Sequence, residues 1–116
     1  MKILILGYSN LCKRKIIPIF KRKLGKIKFC ICSKSQKWED IGASEWYRNY
    51  EDALEKSRAD LVYISLPNSL HYYWAKRFLK NNYHVIIDKP ATLNFTQAKD
   101  LVKEARRRKK LLSEAI

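Results

Sequence analysis

Glycine, proline and cysteine are scarce in this sequence, at three residues each out of 116. So few glycines and prolines leave no room for a long flexible linker, and a chain of this length makes about one domain, spanning 1–116. Cys12, Cys30 and Cys32 are odd in number and have neither disulfide nor zinc spacing. Cys30 and Cys32 stand two apart in a strand-like run and so share a face. Reduced core thiols of a cytoplasmic protein are the expectation, with no metal bound. No apolar run reaches the ~18 residues of a membrane span. The opening MKILILGYSN lacks the small-residue cleavage site of a signal peptide, so it reads as a first strand, and no membrane association is expected.

Acidic residues are also few. Lysine and arginine number 25 against 11 aspartates and glutamates, a net charge of +14. Eight basic residues and no acidic one fall between Lys13 and Lys28, and RRRKK occupies 106–110. Such clusters are either solvated helix faces, the second one complementing a helix dipole, or a footprint for nucleic acid or another polyanion. Because no nucleic-acid motif or aromatic platform accompanies the charge, the solvated reading is preferred.

What is present alternates. KILIL (2–6) is a compact strand stopped by Gly7. Ile16, Ile17, Phe20 and Leu24 then recur at helical spacing, interrupted by Pro18, which should kink or break a helix. KIKFCICS (26–33) is a second strand, and a short third is expected around 44–46. A two-turn helix follows over 50–57, then a fourth strand over 60–66 that Pro67 ends. Leu70, Trp74, Phe78 and Leu79 mark a helix face that closes at Asn81-Asn82. YHVII (83–87) is a fifth strand. Asn94 and Gln97 form a capping box for a helix with Ala98, Leu101, Val102 and Ala105 inward, and a sixth strand begins in 110–115. Tyr63, Tyr72, Tyr73, Trp74 and Tyr83 read as core or interface aromatics, and His84 as structural.

Apolar strands alternating with helices predict an α/β fold, a doubly wound parallel sheet covered on both faces. In the strand order 3-2-1-4-5-6, a crevice opens at the C-terminal ends of strands one and four. Gly7, Ser33, Pro67 and Asp88 all follow strand ends, so the unusual residues converge on one edge.

The stretch from VYISLPNSLHYYWAKRF to VIIDKPATLNFTQAKDLVKEA resembles the NAD(P)-binding Rossmann half of the glucose–fructose oxidoreductase and inositol dehydrogenase (Gfo/Idh/MocA) family. The resemblance extends over the whole chain. Pro67 and His71 fit the family's P-x-x-x-H motif, and Asp88-Lys89-Pro90 fits its E-K-P motif with aspartate in place of glutamate. It implies that Lys89 is the catalytic residue beside the nicotinamide, polarising the hydroxyl that becomes a carbonyl. Asn68 and His71 would lie near the nicotinamide and its ribose, and Pro90 would fix the backbone as it leaves the strand.

The phosphate end departs from the family. Where G-x-G-x-x-G is expected, the chain has Gly7-Tyr8-Ser9-Asn10-Leu11-Cys12. Only the first glycine remains, so Ser9 either hinders the pyrophosphate or donates to it, with Asn10 and Leu11 opening the helix. After the second strand there is no carboxylate to hold the ribose hydroxyls of NAD. Ser33 and Lys34 suit a 2′-phosphate, so the expected cofactor is NADP ahead of NAD.

Family enzymes continue into a second α/β domain that carries most sugar-binding groups. The expectation from these residues is therefore a cofactor domain of a sugar or polyol oxidoreductase with little or no turnover alone. Bare surface around strands five and six predicts a homo-oligomer or a partner chain. The alternatives are a non-catalytic oligomerisation or regulatory module, or a basic polyanion-binding protein on the same fold.

Overall fold

The computed structural model describes residues 1–7, 18, 22, 27–33, 43–88 and 94–114, without the side chain of Asn68. Its strands are β1 (Lys2–Leu6), β2 (Lys28–Cys32), β3 (Glu45–Tyr47), β4 (Leu61–Ile64), β5 (His84–Ile87) and β6 (Leu112–Glu114). They form one six-stranded sheet, ordered β3-β2-β1-β4-β5-β6, with every neighbouring pair parallel. This is the doubly wound arrangement expected from the alternating pattern. Parallel strands are buried on both faces, which is why β1, β2 and β4 consist mainly of branched aliphatics and cysteine.

The described helices are α1 (Tyr50–Lys56), α2 (His71–Lys80) and α3 (Phe95–Arg108), with a 3₁₀ turn at Asn68–Leu70. They pack on the sheet face formed by Leu4, Leu6, Cys30, Val62, Ile64, Val85 and their neighbours. The opposite face carries Ile3, Ile5, Phe29, Ile31, Leu61 and Tyr63, all buried. Alternate residues of one strand thus serve two cores, as the period-two geometry requires. No described helix is long and apolar enough to cross a membrane.

Local chemistry sets the helix ends. The Asn49 side chain accepts from Asp52 N at the start of α1. At the start of α3, Asn94 and Gln97 complete the expected capping box. Asn82 and Lys109 take left-handed backbone, at φ 66° and 56°, where α2 and α3 turn back towards the sheet. Tyr83 binds the layers together: its hydroxyl donates to Leu54 O (2.8 Å) and lies 2.9 Å from Ser57 Oγ, and its ring meets Phe78 edge-on at 4.8 Å.

Pro18 and Arg22 have helical backbone. The rest of that expected helix lies outside the described residues. In α3, Leu101 and Ala105 point inward, but Val102 is 40% exposed and Glu104 is buried. Leu101 faces the sheet, and at about 100° per residue its neighbour Val102 turns towards the outer edge at β6. Glu104 turns to the α2 side, where its carboxylate is held 3.3 Å from Arg108 Nε.

A polar clamp closes the start of the sheet. Lys2 Nζ donates to Ser57 O (2.5 Å) and forms an ion pair with Glu45. The Lys2 ammonium and the Tyr47 hydroxyl hold the Glu45 carboxyl below its ordinary value of 4.5, against the opposing effect of burial. A carboxyl lowered by folding adds stability above its unfolded value, and that stability is lost as pH falls through the folded value. With both side chains part-exposed, the effect stays below about 1 kcal/mol. On acidification from neutrality, Glu45→Gln is expected to lose less of its urea midpoint than wild type. Identical acid limbs would remove this pair from the acid-sensitive interactions.

Candidate functional site

The C-terminal edge of the sheet is built by backbone bonds that run one residue past the strands. Gly7 N donates to Cys32 O (2.9 Å), Ser33 N to Tyr47 O (3.1 Å), Ser65 N to Leu6 O (2.8 Å) and Asp88 N to Ile64 O (2.9 Å). Gly7, Ser33, Ser65 and Asp88 are therefore held at one level across five strands. Trp46 Nε1 donates to Ser33 O (3.1 Å), tying the β3 side to the same edge.

Gly7 is the tightest point. Its φ is +83°, a region that side chains rarely adopt. A Cβ there would stand 2.5 Å from Ser65 O and 2.7 Å from Leu66 Cδ2. The turn after β1 thus lies directly against the chain leaving β4, where the direction of winding reverses. A crevice for a ligand opens at such a switch point.

The segment after β4 folds back on itself. Pro67 is exposed, and its carbonyl accepts from Leu70 N (2.9 Å) to close the 3₁₀ turn that begins at Asn68. His71 is only 1% exposed, and its Nε2 lies 2.7 Å from Leu66 O. A carbonyl can only accept, so Nε2 carries the hydrogen. Nδ1 has no hydrogen-bond partner among the described residues. The four-residue spacing of Pro67 and His71 is thus the span of a closed turn, with proline on its outer rim and histidine beneath it.

Asp88 follows β5 and is half-buried. Its Oδ1 accepts from Tyr63 OH (2.8 Å) and its Oδ2 from Ser65 Oγ (3.3 Å). Tyr63 is the buried aromatic that the sequence predicts and has this bond to Asp88 in addition, whereas the sequence pattern assigns Ser65 no role. A visible signal was Tyr63 and Ser65 alternating in an otherwise aliphatic strand, one turn of the pleat apart and on the same face. Gly7, Ser33, Pro67, the Asn68 backbone, His71 and Asp88 are brought to one edge. Ser9, Asn10, Leu11, Lys34, Lys89 and Pro90 lie outside the described residues.

The family model described as "Oxidoreductase family, NAD-binding Rossmann fold" (Gfo/Idh/MocA) matches residues 1–116. The chain belongs to this family. The Gfo/Idh/MocA chain is 28% identical to the dTDP-3,4-didehydro-2,6-dideoxy-alpha-D-glucose 3-reductase of Streptomyces violaceoruber, over 98% of its own length and 34% of the reductase. It also superposes on the crystal structure of KijD10, a 3-ketoreductase from Actinomadura kijaniata in complex with NADP and TDP-benzene. The TM-score is 0.88 at 29% identity, covering 98% of this chain and 36% of that one. The fold alone is shared with a biliverdin reductase from Synechocystis, at 22% identity and a TM-score of 0.83. The chain spans about a third of the length of the relatives it matches.

Cys30 and Cys32 of this Gfo/Idh/MocA domain do not belong to the edge chemistry, and Cys12 lies outside the described residues. Burial pushes the thiols of Cys30 and Cys32 up to about 12, with Glu45 adding to the rise at Cys30 and Asp52 at Cys32. Both are free and buried. A thiol so held stays protonated at neutral pH and is a poor nucleophile. No cluster of three or more metal-ligating side chains occurs among the described residues.

Proposed function

We propose that this chain binds a nicotinamide dinucleotide along the C-terminal edge of its sheet, NADP in preference to NAD, as the cofactor domain of a sugar or polyol oxidoreductase. The contact of Gly7 with Ser65 and Leu66 carries the proposal, because it sets the β1 turn against the β4 exit at the switch point. The NADP complex of KijD10 supports the choice of cofactor. Ser33, directly after β2, and Lys34 beside it replace the carboxylate that would repel a 2′-phosphate. Gly7, Ser9, Asn10 and Leu11 meet the pyrophosphate. Pro67 and Asn68 lie along the ribose and nicotinamide, and His71 acts from beneath by fixing Leu66 O.

A dinucleotide bound there would supply the hydride chemistry. Lys89 binds the hydroxyl or carbonyl oxygen of the substrate and moves its proton, and Pro90 holds the backbone beside it. Asp88, anchored by Tyr63 and Ser65, supplies negative charge next to that ammonium and sets the exit of the chain from β5.

Titration with NADPH and NADH, followed by cofactor fluorescence and quenching of the three tryptophans, tests this reading. Saturable binding that favours NADPH is expected, with the preference lost in Ser33→Ala/Lys34→Ala. A folded protein that binds neither cofactor would overturn it.

The β6 side is proposed to meet another chain, a second copy or a separate partner. Ser113 and Glu114 are exposed at that edge, Leu111 is exposed beside it, and an apolar cavity of about 180 Å³ lies between α3 and β6. Sedimentation as a monomer at concentrations on the order of tens of micromolar would contradict self-association.

A further inference from the structure

We infer that the groove between α2 and α3 binds the phosphate backbone of a nucleic-acid duplex, on a surface separate from the dinucleotide edge. The groove is a cavity of about 400 Å³. Lys76 and Lys80 line it from α2, and Lys103, Arg107 and Arg108 from α3. Along each helix, positions four apart are neighbours at about 6 Å, so two rows of cations face one cleft.

Two carboxylates share the cleft, and both are already matched. Asp100 is paired with Lys76 at 2.8 Å and accepts from Tyr72 OH at 2.5 Å, which hold its carboxyl below the usual range. Glu104 is paired with Arg108 at 3.3 Å. Lys80, Lys103 and Arg107 form no ion pair among the described residues. The negative ends of the two helix dipoles together amount to roughly one charge. Five cations against two carboxylates leave an excess of three charges in the groove, more than that, so dipole complementation does not account for it.

Position separates this surface from the edge that holds Gly7. α2 and α3 leave that edge and end where β5 and β6 begin, so Lys80 and Arg107 lie at the opposite rim of the sheet. Shape favours a ridge of phosphates over a flat headgroup layer, because the cations flank a concavity. The Tyr72 ring lies under Lys76, 5.9 Å from its Nζ, and its hydroxyl is committed to Asp100, so it offers no platform for bases. Binding is therefore through phosphates, without base readout, and the net charge of +14 steers the encounter.

Fluorescence anisotropy with a short labelled DNA duplex of mixed sequence, titrated at several salt concentrations, tests the inference. Lys103→Ala/Arg107→Ala is expected to weaken binding and to flatten the slope of log K against log salt by about 1.8, roughly 0.9 for each lost phosphate contact. Lys28→Ala/Arg48→Ala removes the same charge at the β2–β3 side and is expected to leave most of that slope intact. Equal losses in the two variants would show net charge alone at work and overturn the assignment. No duplex binding, or preferential binding to vesicles of anionic phospholipid, would overturn it as well. None of these outcomes depends on NADPH binding, which the groove variant is expected to retain.

Discussion

Gly7→Val is expected to cost about 2–5 kcal/mol of folding free energy and to abolish dinucleotide binding. Two effects add. A branched side chain at φ +83° is sterically strained, by about 1–2 kcal/mol. Its Cβ would also press on a backbone oxygen 2.5 Å away, and overpacking costs about 1–3 kcal/mol. Neither can relax cheaply, because Gly7 N is bonded to Cys32 O and Ser65 N to Leu6 O on either side. A domain this size has a total stability of about 5–15 kcal/mol, so a large share is at stake. Urea unfolding reads the stability, and the NADPH titration reads the site. Wild-type values in both would show that the β1 turn does not need its glycine.

His71→Ala is expected to destabilise the domain by about 2–4 kcal/mol and to weaken NADPH binding together with it. The ring is buried, and its loss leaves both a void and a Leu66 carbonyl without its 2.7 Å donor. That carbonyl belongs to the residue whose side chain packs against Gly7, so the disturbance reaches the cofactor edge directly. His71→Gln keeps an N–H donor and is expected to recover part of both losses. If His71→Ala abolished binding at unchanged stability, the histidine would be acting on the dinucleotide itself rather than through the turn.

The sequence by itself determined the sheet. Four-residue apolar runs in β1 and β2, broken by Gly7 and Ser33, have few ways to be buried other than as parallel strands, and the helical spacing between later runs supplies the crossovers. The α3 capping box was equally legible, because the cap and its partner are three residues apart. Local chemistry reads locally. The P-x-x-x-H and D-K-P motifs pointed to a candidate site at the strand ends, where the structure places Pro67, His71 and Asp88.

Only the tertiary structure decided what those residues touch. Asp88 takes Tyr63 and Ser65 as donors across 25 and 23 residues of sequence, which depends on β4 and β5 being neighbours in register. His71 carries a motif, yet its ring is spent on Leu66 O, because the 3₁₀ turn carries it beneath the edge. Val102 left its expected inward position, and Glu104 became buried, once β6 and α2 took up opposite sides of α3. The basic residues near the C-terminus were a run in sequence, but Arg107 faces α2 and joins Lys80 across a groove, while Arg106 faces the β6 side. Strand identity follows from short apolar runs bounded by turn residues, whereas these contacts depend on which distant segments the winding brings together.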